Sequence, residues 1–197
     1  MAEQVGAPWV AARWPETPWA EAPDGVELVV LLDETGEPSG TADKATVHTA
    51  RTPLHLAFSC HVLDTEDNVL ITRRALAKQT WPGVWTNTVC GHPGPGEPFE
   101  EAVRRRARFE LGLELGAISP AVPDFRYRAT DASGLVENEV CPVVAADVAA
   151  GSVLAPNPDE VMDYRWVPVP DLLRAIGAAP WALSPWLVQS GPDLTAW

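Results

Sequence analysis

The sequence predicts an α+β domain, a mixed β-sheet covered by α-helices, and three observations carry that prediction. Short apolar runs of strand character, separated by clusters of turn-forming residues, recur along most of the chain. Only two stretches carry helical start and stop signals. A chain of 197 residues with 46% apolar content can fill one core and falls in the size range of a single domain. Many strands with few helices point to a sheet packed against helices.

Residues 1–25 hold four prolines together with Trp9, Trp14 and Trp19, whose spacing of five builds neither a helical nor a strand face. We read them as a tail preceding a domain over residues 26–197. The domain opens with an apolar strand at 26–32, closed by the turn formers of 33–40. Further strands are predicted at 54–63, 68–73, 86–90, 124–129, 135–145 and 163–167, with Asp131-Ala132-Ser133-Gly134 as a turn. The clearest helix starts at Pro98, carries Glu100 and Glu101 in its first turn and arginines later, and stops at Gly112. Glu100/Arg104 and Glu101/Arg105 are spaced for i,i+4 pairing. A second helix is predicted over 170–176, stopped at Gly177.

Charge and composition exclude several function classes. With 27 acidic against 14 basic residues, a net charge of −13 and no basic run, a nucleic-acid or anionic-membrane surface is excluded as the main business of the molecule. The longest apolar runs, such as 28–32, fall far short of the ~20 residues that span a bilayer. The N-terminus lacks the charged and apolar regions of a secretory signal, and Cys60, Cys90 and Cys141 form no C-x-x-C pair. A cytoplasmic protein with reduced thiols is the expectation.

Two anomalies indicate where chemistry resides. Val103, Ala107 and Glu110 share the helix face that should pack on the sheet, so Glu110 points inward and needs an arginine or a metal as partner. Glu137-Asn138-Glu139 interrupts an apolar strand, and a period of two puts Leu135, Glu137, Glu139 and Cys141 on one side. An isolated E-x-E is ordinarily a solvated strand face. Here it has company: His48 and His55 bracket Pro53, and His92 follows Cys90 by two residues, together a plausible N/O ligand set for a divalent transition metal. The fourth histidine, His61, reads as an ordinary core or surface residue.

From Gly91-x5-Glu97-x7-Arg105 to Glu110-Leu111-Gly112-Leu113 the chain resembles the Nudix box, a loop-helix-loop that holds divalent metal against a diphosphate. The hydrolase form of the box reads R-E-U-x-E-E-x-G-U. Here Arg106 and Phe109 replace two of its three helix carboxylates, which implies one metal on this helix and no hydrolytic cluster. The flanks sharpen the resemblance. Trp81-Pro82-Gly83-Val84-Trp85-Thr86-Asn87-Thr88-Val89-Cys90-Gly91-His92-Pro93 is similar to the active-site segment of type I isopentenyl-diphosphate isomerases, as are His48-Thr49-Ala50, Leu54-His55-Leu56-Ala57-Phe58, Tyr127-Arg128-Ala129-Thr130, Glu137-Asn138-Glu139-Val140-Cys141-Pro142 and Ser184-Pro185-Trp186. The similarity runs over about residues 26–188.

The resemblance implies a Nudix-like mixed sheet sandwiched by helices in a single domain, and the interconversion of isopentenyl and dimethylallyl diphosphate in isoprenoid biosynthesis. It implies that Cys90 and Glu139 act on opposite faces of the substrate, that Tyr127 assists near Glu139, and that Trp186 presents its ring face to a carbocation. It assigns His48, His55, His92, Glu137 and Glu139 to one Mn2+ or Zn2+, and Glu110 with the Cys90 main-chain carbonyl to a Mg2+ that arrives with the diphosphate. Lys44, Arg74 and Lys78 match the family's diphosphate contacts. The implied partner is a small isoprenoid diphosphate, with no flavin, no nucleic acid, no membrane and a monomeric enzyme. The residues before 26 lie outside the shared core, and the eleven after Trp186 imply that a long closing helix of some relatives is absent or shortened. The alternatives are a Nudix diphosphate hydrolase, disfavoured by the missing carboxylates, and a non-catalytic binding module, disfavoured by the presence of Cys90, Glu139 and Trp186.

Overall fold

A computed structural model describes residues 25–149 and 151–192. The Trp/Pro-rich tail with Trp9, Trp14 and Trp19 lies outside the described residues. Among the described residues, twelve strands form two sheets. In the first, β1 (Leu28–Leu32), β2 (Pro38–Asp43), β3 (His55–Leu56), β9 (Arg126–Thr130) and β10 (Val136–Val140) are ordered β2-β1-β3-β10-β9. In the second, β12 (Val161–Pro168), β5 (Asn68–Arg74), β4 (Phe58–Leu63), β11 (Val143–Val148) and β8 (Leu115–Val122) follow one another. The short β6 (Trp85–Thr86) pairs with β5, and β7 (Val89–Gly91) pairs with β4.

Three predicted strands each prove to be two: 86–90 divides into β6 and β7, with Asn87 and Thr88 between them, and two longer runs divide as well. The runs at 54–63 and 135–145 lie parallel, and both change sheet part-way: β3 pairs with β10, and β4 with β11. Pro142 marks one crossing, because it has no N–H to continue a ladder; its carbonyl accepts from the Ser59 N–H at 3.1 Å. Ala57 spans the other, its N–H donating to the Val140 carbonyl at 2.9 Å. Burial is continuous through both crossings, so no change of period marks them.

Helix α1 (Phe99–Leu111) covers one face of the second sheet, where Phe58, Val62, Leu70, Val103, Ala107 and Leu111 form the main core. Val69, the neighbour of Leu70 on β5, points the other way into a cluster with Leu172, Ile176 and Leu187. Those come from α2 (Val169–Ala178) and α3 (Pro185–Ser190), so helices flank the sheet on both faces. Pro98 occupies the cap position one residue before α1. Gly112 ends the helix at φ 64°, where a side chain would be strained, and its added Cβ would come within 2.9 Å of Ala155. The i,i+4 pairs expected on α1 give way to longer-range contacts. Arg104 donates to the carbonyls of Leu115 and Gly116, and Arg105 forks onto Glu97 at 2.7 and 2.8 Å. Gly177 lies within α2 rather than stopping it.

Elements that composition concealed are edge strands and a short helix. β2 contains Pro38, Ser39 and Gly40, and β8 contains Pro120; both lie at sheet edges, where turn formers are tolerated. Six-residue α3 opens on Pro185, with Ser184 as its side-chain cap. No helix among the described residues is long and apolar enough to cross a membrane.

Phe58 is fully buried and meets Phe99 edge to face, with ring centroids 5.8 Å apart. Phe58→Ala is expected to cost about 3–5 kcal/mol, the range for emptying such a site, measurable by urea unfolding.

Candidate active site

Strand register builds the centre of the site. Glu139 on β10 stands opposite His55 on parallel β3 and opposite Tyr127 on antiparallel β9, forming a row across three strands. Glu137 lies two residues along the same strand. Both carboxylates are buried, at 6% and 5% exposure, so this is not the solvated face an isolated E-x-E ordinarily makes. The Glu139 Oε1 is 3.4 Å from His55 Nε2 and 3.1 Å from His92 Nε2. Glu137 Oε2 is 2.9 Å from His48 Nε2, and its Oε1 accepts from the Thr80 hydroxyl at 2.7 Å. The three imidazole centroids are 5.0–5.7 Å apart.

This cluster fits a divalent cation. One ligand atom from each of His48, His55, His92 and Glu139 can be chosen so that all four lie within 4.8 Å of one another. His55 Nδ1 donates to the Pro53 carbonyl at 3.0 Å, which turns Nε2 toward the cluster, where loss of its proton would free a lone pair for a cation. The Nε2 atoms of His48 and His55 and Oε2 of Glu137 are buried without a well-formed hydrogen bond. Burial alone would raise the Glu139 carboxyl, but the neighbouring His55 and His92 imidazoles outweigh it and hold Glu139 well below the usual carboxylate range. His61 stays apart from the cluster in the core of β4, pushed down to about 3 by burial.

A cavity of about 650 Å³ opens on this cluster and gathers most of the remaining candidates. From the second sheet it receives Cys90 on β7, from the first Glu139 and Tyr127, and from α3 Trp186. Burial pushes the Cys90 thiol up to about 12 and the Tyr127 hydroxyl well above its ordinary value, so both are protonated at neutral pH. Trp186 packs against Trp81 and Tyr127 at ring-centroid distances of 5.5 and 5.8 Å. Trp81 itself has φ 44°, a left-handed conformation a bulky residue rarely adopts.

Lys44, Arg74 and Lys78 line the same cavity. Lys44 Nζ meets Glu27 at 2.5 Å, Lys78 pairs with Glu160, and the Arg74 guanidinium lies 5.4 Å from the Trp186 ring centroid. A fourth cation, absent from the residues expected to meet the diphosphate, faces the same cavity. Arg106 is buried in α1, lines the cavity, and joins Glu110 at 2.7 Å to Glu160 at 3.1 Å. Its signal was available: Ala102, Arg106 and Glu110 follow at i, i+4, i+8 beside the inward face. Glu110 is thus paired with an arginine and stands apart from the histidines, lining with Cys90 a small adjoining pocket. Burial raises its carboxyl against the pull of Arg106.

Residues 53–187 match the NUDIX domain, which makes the fold and its box a member of that superfamily. A Deinococcus radiodurans protein of known crystal structure shares the fold, with a TM-score of 0.65 at 21% identity over 86% of this chain and 99% of that one. Within that class the resolution is finer. The isopentenyl-diphosphate Delta-isomerase of Agromyces mediolanus is 64% identical over 82% of this chain and 78% of its own length. That of Citrobacter koseri is 57% identical over 85% and 91%. The chain belongs to the isopentenyl-diphosphate Delta-isomerase family.

Proposed function

We propose that the protein converts isopentenyl diphosphate to dimethylallyl diphosphate by protonating the terminal alkene carbon and removing a proton from the carbon on the other side of the branch. The observation that carries this reading is that one cavity receives Cys90 from one sheet and Glu139 from the other, with Trp186 from α3. An unactivated alkene is a very weak base, so the site must offer an acid, a base, shelter from water and a partner for the tertiary cation. Cys90 and Glu139 supply the proton transfers, Tyr127 supports the Glu139 side, and the Trp186 ring face stabilises the cation by about 2 kcal/mol or more when desolvated. Lys44, Arg74, Lys78 and Arg106 receive the diphosphate, local cations that a chain of net charge −13 needs to admit a polyanion.

His48, His55, His92, Glu137 and Glu139 would hold Zn2+ or Mn2+, the choice their nitrogen-rich donor set favours. Glu110 with the Cys90 carbonyl would hold a Mg2+ brought by the substrate. When bound, these ions offset charge on Glu139 and on the diphosphate. No flavin enters the reading. Buried Arg106 and half-exposed Phe109, at two positions where the hydrolase box carries carboxylates, argue against hydrolysis. Free Cys60, Cys90 and Cys141 suit a reducing, cytoplasmic location. We also propose a single domain over residues 26–197 acting as a monomer, to be checked by gel filtration.

A proton and phosphorus NMR time course in deuterated water, with isopentenyl diphosphate and Mg2+, tests the reading. Dimethylallyl signals carrying deuterium with the diphosphate intact are expected. Accumulating inorganic phosphate or pyrophosphate would replace the isomerase by a hydrolase, and unchanged substrate with metal-replete protein would leave a binding module.

A further inference from the structure

Asn87 lies between β6 and β7, is completely buried, and has no place in the chemistry assigned above. Its carboxamide is nonetheless the most heavily used polar group of the site. Its nitrogen donates to the carbonyls of Cys60 at 3.1 Å and Val89 at 2.8 Å. Carbonyls only accept, so these two contacts fix which end of the amide is which. The oxygen therefore faces three donors: the Trp186 indole N–H at 2.8 Å, the Thr86 hydroxyl at 2.8 Å and the Cys90 thiol at 3.2 Å.

The direction of the neighbouring bonds follows. The Thr86 proton goes to Asn87, so across the 2.8 Å contact with Ser184 it is the serine hydroxyl that donates. Ser184 in turn accepts the Leu187 N–H and caps α3, the helix that carries Trp186. The Ser184 N–H is also bonded to the Trp85 carbonyl at 2.8 Å. One amide oxygen thus ties the sulfur of Cys90, the ring of Trp186 and the start of its helix to the loop between β6 and β7.

We infer that Asn87 is a positioning residue, whose side-chain oxygen fixes the Trp186 ring and the Cys90 S–H relative to one another across the substrate. Planarity explains the choice of residue. An amide held by two backbone carbonyls cannot rotate, so its oxygen is a stationary acceptor, and an indole bonded to it cannot turn its face away from the cavity. Serine or threonine would bring a rotating hydroxyl, and aspartate would set a second oxygen against the two carbonyls.

The inference rests on the isomerase reading, and the test separates the two. In full-length holoenzyme, Asn87→Ala is expected to lower kcat about 30- to 100-fold, the scale set by small misplacements of reacting groups, while KM for isopentenyl diphosphate moves less than about threefold because the cations are untouched. The direct readout is the Trp186 indole N–H in 15N-tryptophan-labelled protein, assigned by its loss in Trp186→Phe. In the native enzyme it should lie downfield and exchange with solvent far more slowly than that of Trp181, which is 80% exposed. In Asn87→Ala it should shift upfield. Native kcat in Asn87→Ala, or no upfield shift in that variant, overturns the inference while leaving the isomerase reading intact. Should Asn87→Ala fail to fold, the native spectrum decides: a Trp186 proton exchanging as fast as that of Trp181 overturns it. An inactive native enzyme would instead remove the reading beneath it.

Discussion

Glu139→Gln and Cys90→Ser are each expected to lower kcat by about three orders of magnitude, within the 10²- to 10⁴-fold that positioned acid–base groups contribute. KM for isopentenyl diphosphate should change little, since Lys44, Arg74, Lys78 and Arg106 remain. Glutamine keeps an oxygen near His55 and His92 but cannot take up a proton, and metal content measured alongside activity separates loss of the base from loss of the ion. The pattern of deuterium assigns the two roles. A variant that lacks the group serving the terminal carbon can neither protonate the alkene nor exchange its protons. A variant lacking only the opposite group still protonates and reverses, so recovered isopentenyl diphosphate gains deuterium at the terminal carbon while little product forms. Native activity in both variants would overturn the assignment. Their environments favour complementary roles: Cys90 is held as a thiol by burial, and Glu139 is held ionised by two imidazoles despite burial.

Much of this site was legible in the sequence because its residues break local patterns. Glu110 on an apolar helix face and Glu137 with Glu139 in an apolar strand are costly placements, and each is buried against partners in the structure. Helix α1 was legible from its signals: acidic residues in the first turn and a glycine whose φ of 64° only a left-handed position explains. What the sequence could not show was pairing. His55 and Glu139 are opposite one another because two strands 84 positions apart run parallel in one register, a fact no local period encodes. The sheet crossings at Ala57 and Pro142 were hidden for the same reason, and they matter, because they place β4 and β7, with Cys90, on a different sheet from β10, with Glu139. Arg106 is legible as a departure from the hydrolase box but not as a cavity cation, because an arginine in an arginine-rich helix reads as surface charge; only its burial between Glu110 and Glu160 reveals a cation facing the cavity. Phe109 completes that substitution, its ring 4.9 Å from the Arg106 guanidinium.

Stripping the ion from the histidine cluster should abolish turnover and lower stability together, because the cluster is poorly balanced without one. Glu137 and Glu139 are buried two residues apart on one strand, and the nitrogens that approach them belong to three imidazoles. Without a cation these carboxylates are only partly paired, and a partly paired buried carboxylate costs several kcal/mol. An ion present at 100 times its Kd adds about 2.7 kcal/mol of stability. In a domain of this size that corresponds to a Tm difference of about 5–10 °C. Prolonged dialysis against a strong chelator should therefore lower Tm by this amount and reduce kcat at least about 100-fold when assayed with Mg2+ alone. Zn2+ or Mn2+ should restore both. Excess Mg2+ should restore neither, because it demands oxygen ligands and keeps its own waters, whereas three of the five side chains here offer nitrogen. A demetallated protein with native Tm and full activity in Mg2+ would show that these histidines serve only as hydrogen-bond partners of two carboxylates. His48→Ala distinguishes the two roles at a finer level. As a ligand, His48 should cost metal affinity and Tm together; as a hydrogen-bond partner, its loss should leave the response to chelator unchanged.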